Sequence, residues 1–254
     1  MRAFVAFCKK EWTESLRTYR LVVMLAAFAL FGIMSPLIAK LIPDILGASD
    51  LGGFTILMPE PTAMDSWAQF FNNIGQMGVL VLAIVFCGIT ANDLGKGTLV
   101  NILTKGMKRR TVLFSKVTVA AALWTASYGL SLAAAYAYTV FFWGHTALPH
   151  APLAFAGPWV YGLLLIALMA LGGICFKNVY GTLGLTAGAV IAMSLLNLIP
   201  GARPWNPASL SGDVLQLLNG QKVPGDFAPA LALCLAISAL CVAGSWWLFD
   251  RKAC

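Results

Sequence analysis

The sequence predicts an all-α integral membrane protein with six transmembrane helices, an N-terminal interfacial helix and a short helix in a cytoplasmic loop. Three observations carry this reading. Of 254 residues, 59% are hydrophobic and 11% charged, where an average globular chain has roughly 25% charged residues. Mean hydropathy is +0.81, and the apolar residues form long unbroken runs rather than core-facing stripes. Lys and Arg concentrate in alternate connecting segments. A soluble, disordered, fibrous or secreted disulfide-rich protein is excluded.

A helix crossing about 30 Å of hydrocarbon needs about 20 mostly apolar residues. Six stretches qualify: 21–42, 72–91, 117–143, 159–176, 182–200 and 228–249. Each is too long and too uncharged for a transmembrane strand, and helices satisfy their own backbone groups in lipid. The fourth is the weakest, because Gly172, Gly173 and Lys177 crowd its end. All six belong to one transmembrane domain, residues 1–254.

With both termini inside, 14 of the 17 Lys and Arg residues fall on the inner side; Lys40, Arg203 and Lys222 lie outside. Of ten acidic residues, Glu11, Glu14, Asp93 and Asp250 are inside and six are outside. The positive-inside rule therefore predicts a multi-pass protein of the cell membrane with cytoplasmic termini. The net charge of +7 reports this topology and contact with anionic lipid, not nucleic-acid binding. None of the six cysteines falls in an outer loop, so no structural disulfide is expected. A cleaved signal peptide is not expected either: the first apolar run is long and lacks a small-x-small cleavage site.

In residues 2–20, Phe4, Cys8, Trp12 and Leu16 recur every fourth position beside Val5, with Lys9, Lys10, Glu14 and Arg17 opposite. That pattern predicts a basic amphipathic helix lying in the inner interface. The alternative is a positive flank that only sets topology. Residues 43–71 are expected outside, where PEPTAMDSWAQFF brings Trp67, Phe70 and Phe71 into a short interfacial segment. Glu60 and Asp65 there lack a nucleophile or metal cluster, so the loop reads as solvated.

The cytoplasmic loop 92–116, NDLGKGTLVNILTKGMKRRTVLFSK, is too charged to enter lipid. It nevertheless places apolar Leu99, Val100, Ile102 and Leu103 between Gly97 and Gly106. A short amphipathic helix held between glycines and flanked by cations suits docking of another protein. The alternative is a connector whose apolar side rests on the membrane. The G-K-G-T at 95–98 is not a phosphate loop, because Gly97 separates Lys96 from Thr98. No nucleotide-binding motif occurs elsewhere, so the chain is not expected to be an ATPase, or an enzyme of any kind.

Between the third and fourth spans, His145 and His150 lack neighbouring acidic or thiol ligands, and no metal site is expected. In the fifth span Gly181, Gly184 and Gly188 mark a packing face, the last two in G-x-x-x-G register. Residues 201–227 are expected outside, with a short helix from Ser211 to Leu218 whose start is favoured by Ser211 and Asp213.

This order of elements resembles the ATP-binding cassette (ABC) permeases of type 2. The sharpest likeness is DLGKGTLVNILTKGMKRRTVLFSK at 93–116, with an acidic residue, G-T-L, a short apolar helix, a basic turn and a final Lys. The opening F-x-x-F-x-K-K-E-W-x-E-x-x-R-T-Y-R adds to it. The resemblance implies that residues 97–103 form a coupling helix seated on a cytoplasmic ABC ATPase subunit. The contact would involve Asp93, Gly97, Thr98, Leu99, Ile102, Leu103, Arg109 and Lys116. It implies that the N-terminal helix, with Phe4, Glu11, Trp12 and Arg17, supports the docked ATPase. It further implies a second permease, in a homodimer or heterodimer sealed by the first and fifth spans. ATP and Mg would be bound by the partner ATPase, with no cofactor on this chain. Segment 207–219 would close the external gate.

The expected function is thus the membrane subunit of an exporter, moving a hydrophobic or amphipathic molecule such as a peptide, drug or lipid-like compound. The alternatives are a transporter driven by an ion gradient, a sensor or immunity subunit using the same ATPase, and an integral membrane enzyme. Ionisable groups are scarce inside the spans, which disfavours the ion-driven reading.

Overall fold

The computed structural model describes residues 2–48, 60–95 and 108–251. Among them there is no strand, and six helices are long and apolar enough to cross a membrane. An N-terminal helix, Arg2–Arg17, precedes the first span, Arg20–Ala48. The second runs over Ala63–Gly95, the third over Arg109–Trp143 and the fourth over Ala151–Phe176. The fifth is Val179–Leu196 and the sixth Ala228–Arg251. The ends near residues 2–20, 88–95, 108–116, 177 and 251 form the basic end of the bundle. Residues 60–63, 144–150 and 197–227 form the far end.

Two boundaries differ from the sequence reading. The second span begins at Ala63, nine residues before Asn72, so Trp67, Phe70 and Phe71 are not an interfacial segment. All three are buried in the bundle, with Trp67 4.9 Å from Phe155 and edge-on to Phe70 at 5.8 Å, measured between ring centroids. The start is set by Thr62, whose backbone N–H donates to Asp65 Oδ2 at 2.8 Å while the helix begins at Ala63. Sequence counting missed it because Asp65 and Gln69 lower the local hydropathy. Likewise the third helix starts at Arg109, so Lys116 sits two turns inside it rather than at a loop's end.

The fourth span, weakest by composition, is the centre of the bundle: Leu164, Leu165, Ile166, Met169 and Ala170 have at most 1% exposure. Its glycines are the reason. Spans gain no hydrophobic drive from meeting each other in lipid, so close van der Waals approach carries their association. A Cβ at Gly173 would fall 2.7 Å from Thr90 Oγ1 and 2.9 Å from the Ala91 nitrogen. One at Gly162 would overlap the indole of Trp124. Pro158 removes one backbone donor from this helix. The carbonyls flanking it accept side-chain bonds from the third span, Tyr128 Oη to Phe155 O at 2.7 Å and Trp124 Nε1 to Trp159 O at 2.9 Å.

The far end does not hold one helix from Ser211 to Leu218. It holds two, Ser209–Gly212 and Val214–Leu218, interrupted at Asp213. Leu210, Val214, Leu217 and Leu218 are buried, and both short helices pack on the fourth span. The break lets Asp213 turn inward between two cations, Arg203 (Nε 2.9 Å from Oδ2) and Lys222 (Nζ 2.8 Å from Oδ2). Burial alone would raise the Asp213 pKa; hydrogen bonds and charge from Arg203 and Lys222 outweigh it and hold the carboxyl below its ordinary value.

Candidate functional site

At the basic end, three segments distant in sequence meet at one cation. Lys116 Nζ lies 2.9 Å from Glu11 Oε2 and 2.5 Å from Asp93 Oδ2. Lys116 and Glu11 are 2% and 4% exposed and Asp93 16%. The cluster extends outward through Lys10, 2.9 Å from Glu11 Oε1 and 2.6 Å from Glu14 Oε2. Signs alternate along the chain Glu14, Lys10, Glu11, Lys116, Asp93, so every buried charge faces an opposite one. A buried charge without such a partner costs several kcal/mol.

Each side chain is brought there by its helix. The N-terminal helix lays Phe7, Glu11 and Ser15, spaced four apart, against the first turns of the third-span helix. This face differs from the predicted stripe. Phe4 and Cys8 border it and are half-buried, whereas Val5, Trp12 and Leu16 are exposed, as is Arg17. The helix thus has a protein-facing stripe holding Glu11 and an apolar stripe that protein does not cover. A charge near the chain's start looked equally at home in water, so residue type gave no sign that Glu11 is buried. Its best signal was position: four residues from Phe7 and Ser15, on the side away from Lys9 and Arg17.

Asp93 lies in the last helical segment of the second span, Gly88–Gly95, and Lys116 near the start of the third. Their contact ties together the two roots of segment 96–107. Gly97, Thr98, Leu99, Ile102 and Leu103 lie outside the described residues. Arg109, at the first helical position, points elsewhere: its Nη1 donates to Phe249 O at 2.8 Å and to Asp250 O at 3.3 Å. It thereby caps the last turn of the sixth span, where a cation complements unpaired carbonyls.

The three glycines of the fifth span divide. Gly181 is packed inside the chain, its N–H donating to the capping Asn178 Oδ1 at 2.5 Å, with Phe176 against its α-carbon. Among the described residues, a methyl group added at Gly184 or Gly188 would meet nothing within 4 Å. The fifth span buries only Thr182 and Thr186.

A second constellation escaped the sequence reading. At the far half of the bundle, a cavity of about 330 Å³ is lined by Asn72 and Gln76 of the second span, Tyr161 of the fourth, Ser194 of the fifth and Asn197, which caps the fifth. It lies beside a π-helical turn, Ile74–Gly78. An amide pair four residues apart within an apolar run was the available signal.

These features define a multi-pass membrane protein with a buried ionic cluster at one end and a polar cavity toward the other. No protein-family model matches the chain. It is similar to the "Uncharacterized transmembrane protein YxlG" of Bacillus subtilis (strain 168), 22% identical over 263 residues that cover 99% of this chain and 98% of the relative. The likeness runs end to end, and the relative's name supports the membrane assignment.

Proposed function

We propose that this chain is the permease subunit of an ATP-driven exporter, coupled to a separate ABC ATPase that binds ATP and Mg. The observation that carries this reading is the Glu11–Lys116–Asp93 cluster. It clamps both roots of segment 96–107 to each other and to the N-terminal helix. A force applied to that segment passes into the second and third spans together instead of being lost in a slack loop. The basic end is then cytoplasmic. Residues 97–103, with apolar Leu99, Ile102 and Leu103, are the docking element, and the N-terminal helix braces it.

The open face of the fifth span suits a second permease. Among the described residues, nothing outside their own helix lies within 4 Å of a Cβ added at Gly184 or Gly188, and small residues at that spacing let two backbones approach. The exported molecule is hydrophobic or amphipathic, in keeping with spans whose charged residues stand near their ends and not in their middles. ATP turnover on the partner shifts the permease between states only through contacts that differ between them.

The test is co-purification of the chain with a soluble ABC ATPase encoded by a neighbouring gene, with and without Leu99→Asp and Ile102→Asp. The wild-type chain retains the ATPase and each substitution releases it. Undiminished assembly of both variants would overturn the docking assignment, and so would labelling that places residues 97–103 on the face opposite the ATPase.

A further inference from the structure

We propose that the cavity between the second, fourth and fifth spans binds an uncharged amide-bearing apolar molecule, of the kind a hydrophobic peptide presents. Asn72 and Gln76 are exposed on a membrane-spanning helix, and Gln76 Nε2 donates to Asn72 Oδ1 at 2.7 Å. That single bond leaves most of the hydrogen-bonding capacity of two amides unused, which hydrocarbon would penalise by several kcal/mol per group. Their side chains face the cavity, where water or a polar ligand satisfies them.

A second, independent observation comes from the fourth span. Tyr161 is 5% exposed, yet its hydroxyl makes no hydrogen bond to any described residue. The residue lines the cavity, and its hydroxyl is not among the fully enclosed polar atoms, so the hydroxyl of an otherwise buried ring is open to an occupant there. Asn197 also keeps donors available, since its Oδ1 accepts from Asn206 Nδ2 at 2.7 Å.

The backbone shapes the site as well. The π-helical turn re-aims the second span where Asn72 and Gln76 leave it, and such turns recur at functional sites. Within the turn, Gly75 sits against Ser211, whose Oγ would lie 3.2 Å from an added Cβ. The second span and the far-end helices therefore stay close at the cavity floor.

The lining fixes the chemistry. It contains no Lys, Arg, His, Asp or Glu, so a charged ligand would lose its hydration with no counter-charge in return. Amide and hydroxyl groups supply donors and acceptors side by side, which an amide matches with its own N–H and C=O. Apolar walls from Phe71, Val190 and Leu215 accommodate a hydrophobic side chain. Where the occupant is the exported molecule, the inference rests on the export reading. The binding itself needs neither ATP nor an ATPase, so failed binding and failed ATPase assembly are separate results.

The experiment measures displaceable binding of radiolabelled N-acetyl-leucyl-leucinamide to the purified chain in lipid nanodiscs without nucleotide. The amide is expected to bind saturably, and N-acetyl-leucyl-leucine, a carboxylate at neutral pH, at least about tenfold more weakly. Gln76→Leu and Tyr161→Phe each weaken the amide about fivefold, the worth of one neutral hydrogen bond. Ser238→Ala, in the sixth span away from the cavity, leaves binding unchanged. Gln76 is exposed, so its variant decides the matter even if Tyr161→Phe unfolds the protein. Absence of displaceable binding, equal affinity for the carboxylate, or wild-type affinity in Gln76→Leu would each overturn the proposal.

Discussion

Lys116 and Glu11 stand 105 positions apart, and their side chains meet at 2.9 Å with almost no exposure to solvent. Because Lys116 also holds Asp93, the three residues are unequal. Lys116 is the shared centre, and its removal takes the common cation from two carboxylates at once, leaving Glu11 to the half-exposed Lys10; removal of Glu11 leaves Lys116 paired with Asp93.

Lys116→Met is therefore predicted to destabilise the protein by about 3–5 kcal/mol, and Glu11→Gln by distinctly less. Thermal unfolding in mild detergent measures both. The double variant should recover part of the loss, because one of the two carboxylates deprived of Lys116 no longer carries a charge. Equal losses in the two single variants would show that Lys116 is not the centre of the cluster.

The far end carries a pH dependence of defined sign. The folded-state pKa of Asp213 is held below its ordinary value, so its ionised form stabilises the Arg203–Asp213–Lys222 clamp. That contribution is complete above the ordinary carboxylate range and disappears as pH falls through the depressed folded value. The difference in unfolding midpoint between wild type and Asp213→Asn should stay constant at neutral pH and shrink in strong acid. A difference that grows on acidification would reverse the assignment.

Glycines in this bundle are predicted to separate by environment. Gly162→Ala forces a methyl into the Trp124 indole and should cost about 1–3 kcal/mol. The methyl of Gly188→Ala meets nothing within 4 Å among the described residues and should leave the monomer's unfolding midpoint unchanged or slightly higher, since alanine favours helix. Its effect should appear instead in the oligomeric state, read by cross-linking in membranes. A Gly188→Ala variant that unfolds like Gly162→Ala would show that the fifth span packs inside its own chain.

The buried aromatic group offers a fourth measurement. Phe70 is fully buried, edge-on to Trp67 at 5.8 Å and to Phe71 at 5.3 Å. Phe70→Ala should cost about 3–5 kcal/mol, as expected of a core position and not of an interfacial segment. A loss near zero would return residues 63–71 to the membrane surface.

Much of the fold was readable from composition. Six apolar runs are six spans because a helix is the low-cost way to carry twenty peptide groups through hydrocarbon, and that depends on length and hydropathy alone. The reading erred where polar residues enter a span. Asp65 caps the second helix and Asn72 and Gln76 line a cavity, so hydropathy placed the boundary at Asn72 rather than at Ala63. Glycine misled in the opposite direction, since Gly172 and Gly173 lowered the apparent quality of the fourth span while marking it as the most closely packed.

The sequence by itself determined that the chain is membrane-embedded, how many times it crosses, and which of its ends is rich in cations. These are sums over local properties, and each segment contributes independently. Only the tertiary structure decided that Glu11 seeks Lys116, that Gly162 yields space to Trp124, and that Tyr161 and Gln76 line one cavity. Those pairings join residues far apart along the chain. In lipid they depend on side-chain shape and on the need to satisfy every polar group, neither of which is written in any single segment.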